Sequence, residues 1–327
     1  MEIVVTGGLG FIGSNFTEYM LKLNPEMRIV NIDSLSHGSS LNSQAPFEEN
    51  PNYKLVRGDI CDAPSFRDHI LGADAIVNFA AESHVDRSID NPVPFVRSNI
   101  QGVVALLEVV RRSRTKIRFV QVGTDESYGD IPDGSFKESD LLSPSSPYAA
   151  SKAAADMLCK SYFRTYGVDV VTTRCANNYG PRQSPEKLIP RTIIRAILNR
   201  HIPIYGSGDN IRDWLYVEDH CHAIASVLMK GRAGEIYNVS ANEEWSNLNV
   251  VNTILHHLGR SQALIRHVED RLGHDRRYSM DSTKIRTELN WIPQRSFQSA
   301  LAATIEWYVN NETWWKPLAS EAYIGKW

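Results

Sequence analysis

Eight residues near the start, Thr6-Gly7-Gly8-Leu9-Gly10-Phe11-Ile12-Gly13, constrain this chain more than any other segment. The apolar run Ile3-Val4-Val5 leads into them, and Ile12–Leu23 follows with helical spacing. Gly7, Gly10 and Gly13 give the pattern GxxGxxG. Glycines so placed permit a tight turn, let backbone N–H groups approach a bound pyrophosphate, and allow the helix to pack close to the strand. The helix N-terminus adds the positive end of its dipole. A strand–turn–helix unit of this kind predicts dinucleotide binding by Gly7, Gly10, Phe11, Ile12 and Gly13.

Asp33 follows a second predicted strand and lies twenty residues after Gly13. An acid there accepts hydrogen bonds from the adenosine ribose and repels a 2′-phosphate, so NAD is expected rather than NADP. Ser34 and His37 close behind it offer little to hold a 2′-phosphate, and Ser34 is grouped with the cofactor residues. Asp59 and Ile60, after the third predicted strand, are expected to flank the adenine.

Short apolar runs alternate with segments of helical period through the first half. Ile3–Thr6, Arg28–Ile32, Tyr53–Val56, Ala75–Phe79, Arg118–Val122 and Val168–Thr173 are predicted strands; Ile12–Leu23, Ser65–Leu71, Pro94–Arg112 and Ser146–Tyr166 are predicted helices. That alternation implies right-handed crossovers and an α/β fold, a doubly wound parallel sheet of Rossmann type. After Tyr179 the texture changes, with Pro181, Pro185, Pro190 and Pro203 and the turn Gly206-Ser207-Gly208. We therefore expect a cofactor domain over 1–180 and a smaller substrate-facing domain over 181–327. The two should interleave through segments near 213–240, because Trp214–Val217 and Ile236–Val239 resemble strands returning to the main sheet. The end, Trp314 to Trp327, carries three tryptophans to which the sequence assigns no role.

Composition narrows the class. Charged residues make up 22% and the net charge is −3, giving no reason to expect nucleic acid as a partner. The four cysteines, Cys61, Cys159, Cys175 and Cys221, form no CxxC pair, and the ten histidines include no HExxH, so neither a disulfide framework nor a metal site is expected. The strand that begins at Ile3 leaves no room for a signal peptide, and no uninterrupted apolar stretch approaches the roughly 18 residues of a membrane span. A cytoplasmic chain without a membrane partner is the expectation.

Tyr148 and Lys152 stand four apart on a predicted helix, so both project from one face. A nearby ammonium and a positive nicotinamide ring would favour phenolate, and Tyr148 could then take the proton of a hydroxyl whose carbon loses hydride. Tyr148 is the only one of 13 tyrosines with lysine at i+4. Earlier come Thr124-Asp125-Glu126 at the end of a central strand, where α/β sheets bind ligands. Two adjoining carboxyls in a partly dry site resist ionising together, so one can serve as acid and the other as base. Redox chemistry coupled to elimination is the combined expectation.

TGGLGFIG, AAESHVDRSI (80–89), TDESYG (124–129), PYAASK (147–152) and NNYGPRQSPEKLIP (177–190) resemble the extended short-chain dehydrogenase/reductase superfamily and, within it, the dTDP-glucose 4,6-dehydratases. The likeness continues through PIYGSGDNIRDWLYVEDH (203–220) and DRLGHDRRYSMDSTKI (270–285). It implies that Tyr148 deprotonates the glucose 4-hydroxyl while NAD takes hydride from C4. Glu126 then removes the C5 proton, Asp125 protonates the departing 6-hydroxyl, hydride returns to C6, and Thr124 bonds the oxygen at C4. By the same resemblance Ala80, Ala81, Ser83, Asn99 and Asn178 attend the cofactor. His84, Asn177, Lys187, Leu188, Pro203, Tyr205, Arg212, Asn247, Arg271 and His274 contact the sugar nucleotide, with Arg212 and Arg271 as diphosphate clamps. A homodimer through helices 94–112 and 146–166 is likewise implied. Ser127 stands where the family has Val, and Leu272 where it has Pro. A UDP-glucose 4,6-dehydratase, a sugar-nucleotide 4-epimerase and a non-catalytic NAD sensor are the alternatives.

Overall fold

A computed structural model describes residues 1–319. Twelve strands are formed among them: β1 (Glu2–Thr6), β2 (Arg28–Asp33), β3 (Tyr53–Arg57), β4 (Ala75–Asn78), β5 (Arg118–Thr124), β6 (Val170–Cys175), β7 (Asn177–Tyr179), β8 (Ile202–Tyr205), β9 (Ile211–Tyr216), β10 (Ile236–Val239), β11 (Glu244–Ser246) and β12 (Ile265–Val268). Seven make a parallel sheet in the order β10-β6-β5-β4-β1-β2-β3. Chain order reverses between β1 and β4, and a cleft opens at that switch point.

The strand interiors explain the two layers of helices. β1 and β4 are largely apolar on both faces and almost wholly buried, and β6 is wholly buried although it carries Thr172, Thr173 and Arg174. On one face Ile3, Val5 and Val77 pack with Phe16, Met20 and Leu21 of the helix Phe11–Leu23 and with Ile224 and Leu228 of the helix Val217–Lys230. On the other, Val4, Ile76 and Phe119 pack with Leu106, Leu107, Ala155 and Cys159. The last four come from the helices Val103–Arg111 and Pro147–Tyr166. Ser146 caps the latter through its bond from the Ala149 N–H, Pro147 occupies the first helical position, and Gly167 ends it at φ +70°.

The predicted helix 94–112 is a composite of Val93–Val96, a π-turn over Arg97–Gly102, and Val103–Arg111. By length and apolarity alone Val93–Arg111 would suffice to cross a membrane, although charged and polar residues interrupt its apolar run. Here one side of it lies in the core beneath the sheet.

The remaining strands form two small sheets, β11-β9-β7 and β12-β8. Of the two segments expected to return to the main sheet, Ile236–Val239 does so as β10, beside β6. Trp214–Val217 does not. Its residues end β9, which pairs with β7 and β11, and start the next helix at Val217. Their apolar faces instead join a separate core with Tyr179, Ile193, Trp214, Tyr216, Phe297, Leu301 and Tyr308. Trp314 and Trp315 are buried in that same core, and Trp315 Nε1 donates to the Tyr308 carbonyl at 2.7 Å. Trp327 lies outside the described residues.

Trp291 joins the later segment to the main core. It is fully buried, donates to the Asp219 carbonyl at 3.0 Å, and lies in the cluster under the main sheet. Asp219 returns the contact by accepting from the Gln294 and Arg295 N–H groups. Trp291→Ala is expected to cost about 3–5 kcal/mol, measured as a lowered urea midpoint; an unchanged midpoint would contradict this anchoring role.

Candidate active site

The glycine turn is built as tightly as its composition implies. Gly7 has φ +72°, and a Cβ there would lie 2.7 Å from the Ala80 backbone, so β1 and β4 approach each other without side chains between them. A Cβ on Gly13 would stand 2.3 Å from the Gly7 carbonyl. Gly10 precedes the helix without a side-chain cap, which leaves the first helical N–H groups to a ligand. Asp33 fastens the turn from below: one carboxylate oxygen accepts from Leu9 N–H at 2.9 Å and the other from Leu35 N–H at 2.8 Å.

The cleft at the switch point is lined by Gly7, Gly10, Phe11, Ile12, Gly13, Asp33, Ser34, Asp59, Ile60, Ala80, Ala81, Ser83 and Asn178. Thr124, Asp125, Glu126, Tyr148, Lys152, His84, Asn177 and Lys187 line it too, so cofactor and substrate candidates share one space. Asn99 does not reach its wall. It is buried with its amide spent on both backbone groups of Glu82 and on the Ser151 hydroxyl, so it holds the segment after β4 against the helix Pro147–Tyr166.

Asp125 and Glu126 form a single 3-10 turn at the end of β5. Thr124 donates to Asp125 Oδ1 at 3.2 Å and accepts from the Glu126 N–H at 3.4 Å. Burial, and then the charge of Glu126, pushes the Asp125 carboxyl well above its ordinary range. Burial also raises Glu126, but Arg271, Lys187 and Arg212 face it and oppose that rise. Asp125 is thus the better proton holder and Glu126 the better base.

Tyr148 and Lys152 are both buried on one face of their helix. The Lys152 Nζ donates to the Val122 carbonyl at 2.6 Å. Burial, and then the charge of Glu126, raises Tyr148 well above its ordinary value, and a hydrogen bond with Thr124 opposes that rise.

The sugar-nucleotide candidates divide. Lys187 donates to the Ser83 carbonyl at 2.8 Å and faces Glu126. Tyr205 donates to Asp86 at 3.0 Å, Arg271 pairs with Asp86 at 3.6 Å, and the His274 ring lies 6.1 Å from that of Tyr205. Arg212 reaches the Asp275 and Arg276 carbonyls and stacks over the Tyr278 ring at 4.2 Å. Asn247 is the first residue of the helix Asn247–His257, which Ser246 caps, and its N–H donates to the Asn210 carbonyl at 3.0 Å. Leu188 is partly buried at the start of the helix Leu188–Ile197, and Pro203 is buried in β8.

Glu186 of the cleft wall, and Asp86, Asp275 and Tyr278 outside its lining, escaped sequence reasoning. Glu186 accepts from His37 at 2.9 Å and lies 3.5 Å from His84 and 3.8 Å from Arg87, joining three segments across the cleft. Tyr278 and Asp275 face Glu126, and Asp86 faces Arg271. Glu186 adjoins Lys187 in the chain, which is the one signal that could have flagged it.

A parallel sheet with this switch-point cleft and a buried Tyr–Lys helix defines a member of the extended short-chain dehydrogenase/reductase superfamily. The family model described as GDP-mannose 4,6 dehydratase matches residues 4–304, and the chain belongs to that family. It is 48% identical to a dTDP-glucose 4,6-dehydratase of Streptomyces niveus over 98% of this chain and 96% of that one. It is 42% identical to a dTDP-glucose 4,6-dehydratase of Escherichia coli over 100% of this chain and 98% of that one. Among solved structures, the dTDP-glucose 4,6-dehydratase DesIV of Streptomyces venezuelae, with NAD bound, superposes with TM-score 0.95 at 46% identity, covering 97% and 100% of the two chains. A UDP-glucuronic acid 4-epimerase of Bacillus cereus superposes with TM-score 0.89 at 27% identity, covering 95% and 99%.

Burial alone would raise Glu186, but the hydrogen bond from His37 and the charges of His84, His37 and Lys187 prevail and hold it at about 2. A carboxylate depressed on folding adds stability above its unfolded value of 4.5, and that stability fades as pH falls toward 2. Glu186→Gln should therefore flatten the acid limb of stability against pH in that window; an acid limb identical to wild type would contradict it.

Proposed function

We propose that this chain converts dTDP-glucose to dTDP-4-keto-6-deoxyglucose and water, with NAD as its resident cofactor. The observation that carries the proposal is the pair Asp125–Glu126, two adjoining carboxyls in a buried turn that opens on the same cleft as Tyr148. Simple alcohol oxidation or epimerisation needs no such pair. The names and NAD-bound states of the relatives support the same reading.

The cradle fits the cofactor: the glycine turn has no room for side chains, and Asp33 keeps acceptor capacity toward a ribose. When bound, NAD supplies a hydride acceptor for C4 and afterwards a hydride donor for C6, together with positive charge beside Tyr148. Tyr148 takes the 4-hydroxyl proton, and Lys152 supports the resulting charge distribution. Thr124 hydrogen-bonds the oxygen at C4. The ketone acidifies C5–H, Glu126 removes that proton, and Asp125 gives its own to the leaving 6-hydroxyl. Glu126 returns a proton to C5 at the end, and the proton gained by Tyr148 balances the one given up by Asp125.

Residues 1–180, with the helix Val217–Lys230 and β10, hold the cofactor in this proposal. The segments from 181 onward hold the sugar nucleotide through Lys187, Leu188, Pro203, Tyr205, Arg212, Asn247, Arg271 and His274, with His84 and Asn177 opposite. The chain pairs as a homodimer through the helices Val93–Arg111 and Pro147–Tyr166, on which Val93, Val96, Met157 and Tyr166 are exposed. Its four cysteines are unpaired thiols, which suits work in the reducing cytoplasm.

Purified protein given dTDP-glucose, UDP-glucose or UDP-galactose should release product lighter by one water from dTDP-glucose. Equal-mass isomers would favour a 4-epimerase, preference for UDP-glucose would move the base assignment, and no turnover would sink catalysis. Glu126→Gln should still reduce bound NAD but stop elimination, and Asp125→Asn should slow product formation by about 10²–10⁴-fold. The pH profile of turnover should be a bell. Its acid limb follows protonation of Glu126, and its alkaline limb follows the loss of the raised Asp125 proton. Full product from Glu126→Gln would remove that residue from the mechanism.

A further inference from the structure

Behind Tyr148 and Lys152 lies a buried ion pair that the chemistry above does not use. Tyr148, Lys152 and Asp156 recur at i, i+4 and i+8 along the helix Pro147–Tyr166 and so form one row. Asp156 accepts from Arg174 Nε of β6 at 2.9 Å, with side-chain exposures of 0% and 1%. Arg174 in turn lies 4.6 Å above the ring of Tyr128, which closes the turn bearing Asp125 and Glu126. A Cβ on Gly123 would stand 3.1 Å from Asp156 Oδ1, so the carboxylate abuts the end of β5. Lys152 donates to Val122 on that same stretch of strand.

A pair this deep adds little net stability over an apolar replacement. It also leaves Asp156 Oδ1 and Arg174 Nη1 without hydrogen-bond partners among the described residues. Burial drives Lys152 toward its neutral form. The groups that face it are Asp156 and Cys159 from its own helix and Cys175 from β6. Burial keeps both thiols protonated and raises the Asp156 carboxyl as well, but there the charge and hydrogen bond of Arg174, and then the charge of Lys152, oppose the rise, so Asp156 is the anion of the three by virtue of Arg174. Asp156 faces Arg174 and Lys152, and Arg174 faces Asp156 and Tyr128.

We propose that Asp156, held by Arg174, is a positioning residue for the redox step: its charge keeps the Lys152 ammonium protonated and in place behind Tyr148. It touches neither substrate nor cofactor and acts through Lys152. The proposal rests on the dehydratase reading, and the two fail differently: absence of wild-type turnover defeats that reading, whereas this one depends on how variants titrate.

The test compares pH profiles of the single-turnover rate constant for reduction of bound NAD by dTDP-glucose in wild type, Asp156→Asn, Asp156→Glu and the double variant Asp156→Asn/Arg174→Met. With Asp156 neutral, Lys152 loses its proton at lower pH. The alkaline limb of NAD reduction, a half-reaction that comes before the Asp125 proton is used, should therefore move down in Asp156→Asn by about one pH unit or more, a roughly tenfold loss of that rate constant on the limb, with KM unchanged. The double variant, which leaves no unpaired buried charge, should show the same displaced limb, and Asp156→Glu should restore the wild-type limb. An alkaline limb unmoved in both neutral variants would overturn the proposal. So would a change confined to KM, or failure of both neutral variants to fold, since each marks the pair as structural.

Discussion

Everything in this molecule turns on keeping two carboxyl groups close together at a place with little water. In bulk solvent Asp125 and Glu126 would both ionise and their difference in role would vanish. At the end of β5 burial penalises both charges, and proximity penalises the second. Arg271, Lys187 and Arg212 oppose the rise at Glu126, whereas Arg212 and the Thr124 hydrogen bond oppose that at Asp125. Two carboxyls of nearly identical intrinsic strength are thereby given unlike surroundings.

That arrangement needs two bodies of structure to meet. The parallel sheet delivers the acids, Tyr148 and the glycine turn to one edge, since each follows a strand or lies on the helix packed beside it. The cations come from later segments built on the second core of Tyr179, Trp214 and Phe297. Glu186 ties the two together across the cleft, through His37 after β2 and His84 and Arg87 after β4. Trp291 and Asp219 make a corresponding tie on the far side.

The two unusual family positions behave differently. Ser127 is fully buried and its hydroxyl has no partner among the described residues, so the polar atom costs desolvation where Val would not. Leu272 is 76% exposed beside Gly273, whose φ of +60° lets the loop pass close to the Ser145 carbonyl. The loop conformation thus depends on glycine and is indifferent to the neighbouring leucine.

The sequence by itself determined what arises from local periodicity and backbone sterics. Six strands of the first half, the helices Phe11–Leu23, Arg67–Leu71, Val93–Arg111 and Pro147–Tyr166, the glycine turn, Asp33 at the end of β2, and Tyr148 and Lys152 on one helical face follow from spacing along the chain; the helix Val85–Asp90 escaped it. It did not determine partnership. A run such as Trp214–Val217 satisfies strand propensity equally well in either sheet, and burial of its aromatic face against Phe297 chose the smaller one. Asn99 carried a family expectation of cofactor contact, yet its amide is consumed by Glu82 and Ser151. The convergence of Glu186, Asp86, Asp275 and Tyr278 on the site, the orientation of Lys152 and the Asp156–Arg174 pair were set by tertiary structure alone. Hydrogen bonds and charges act across space, between residues whose separation in sequence says nothing about their distance.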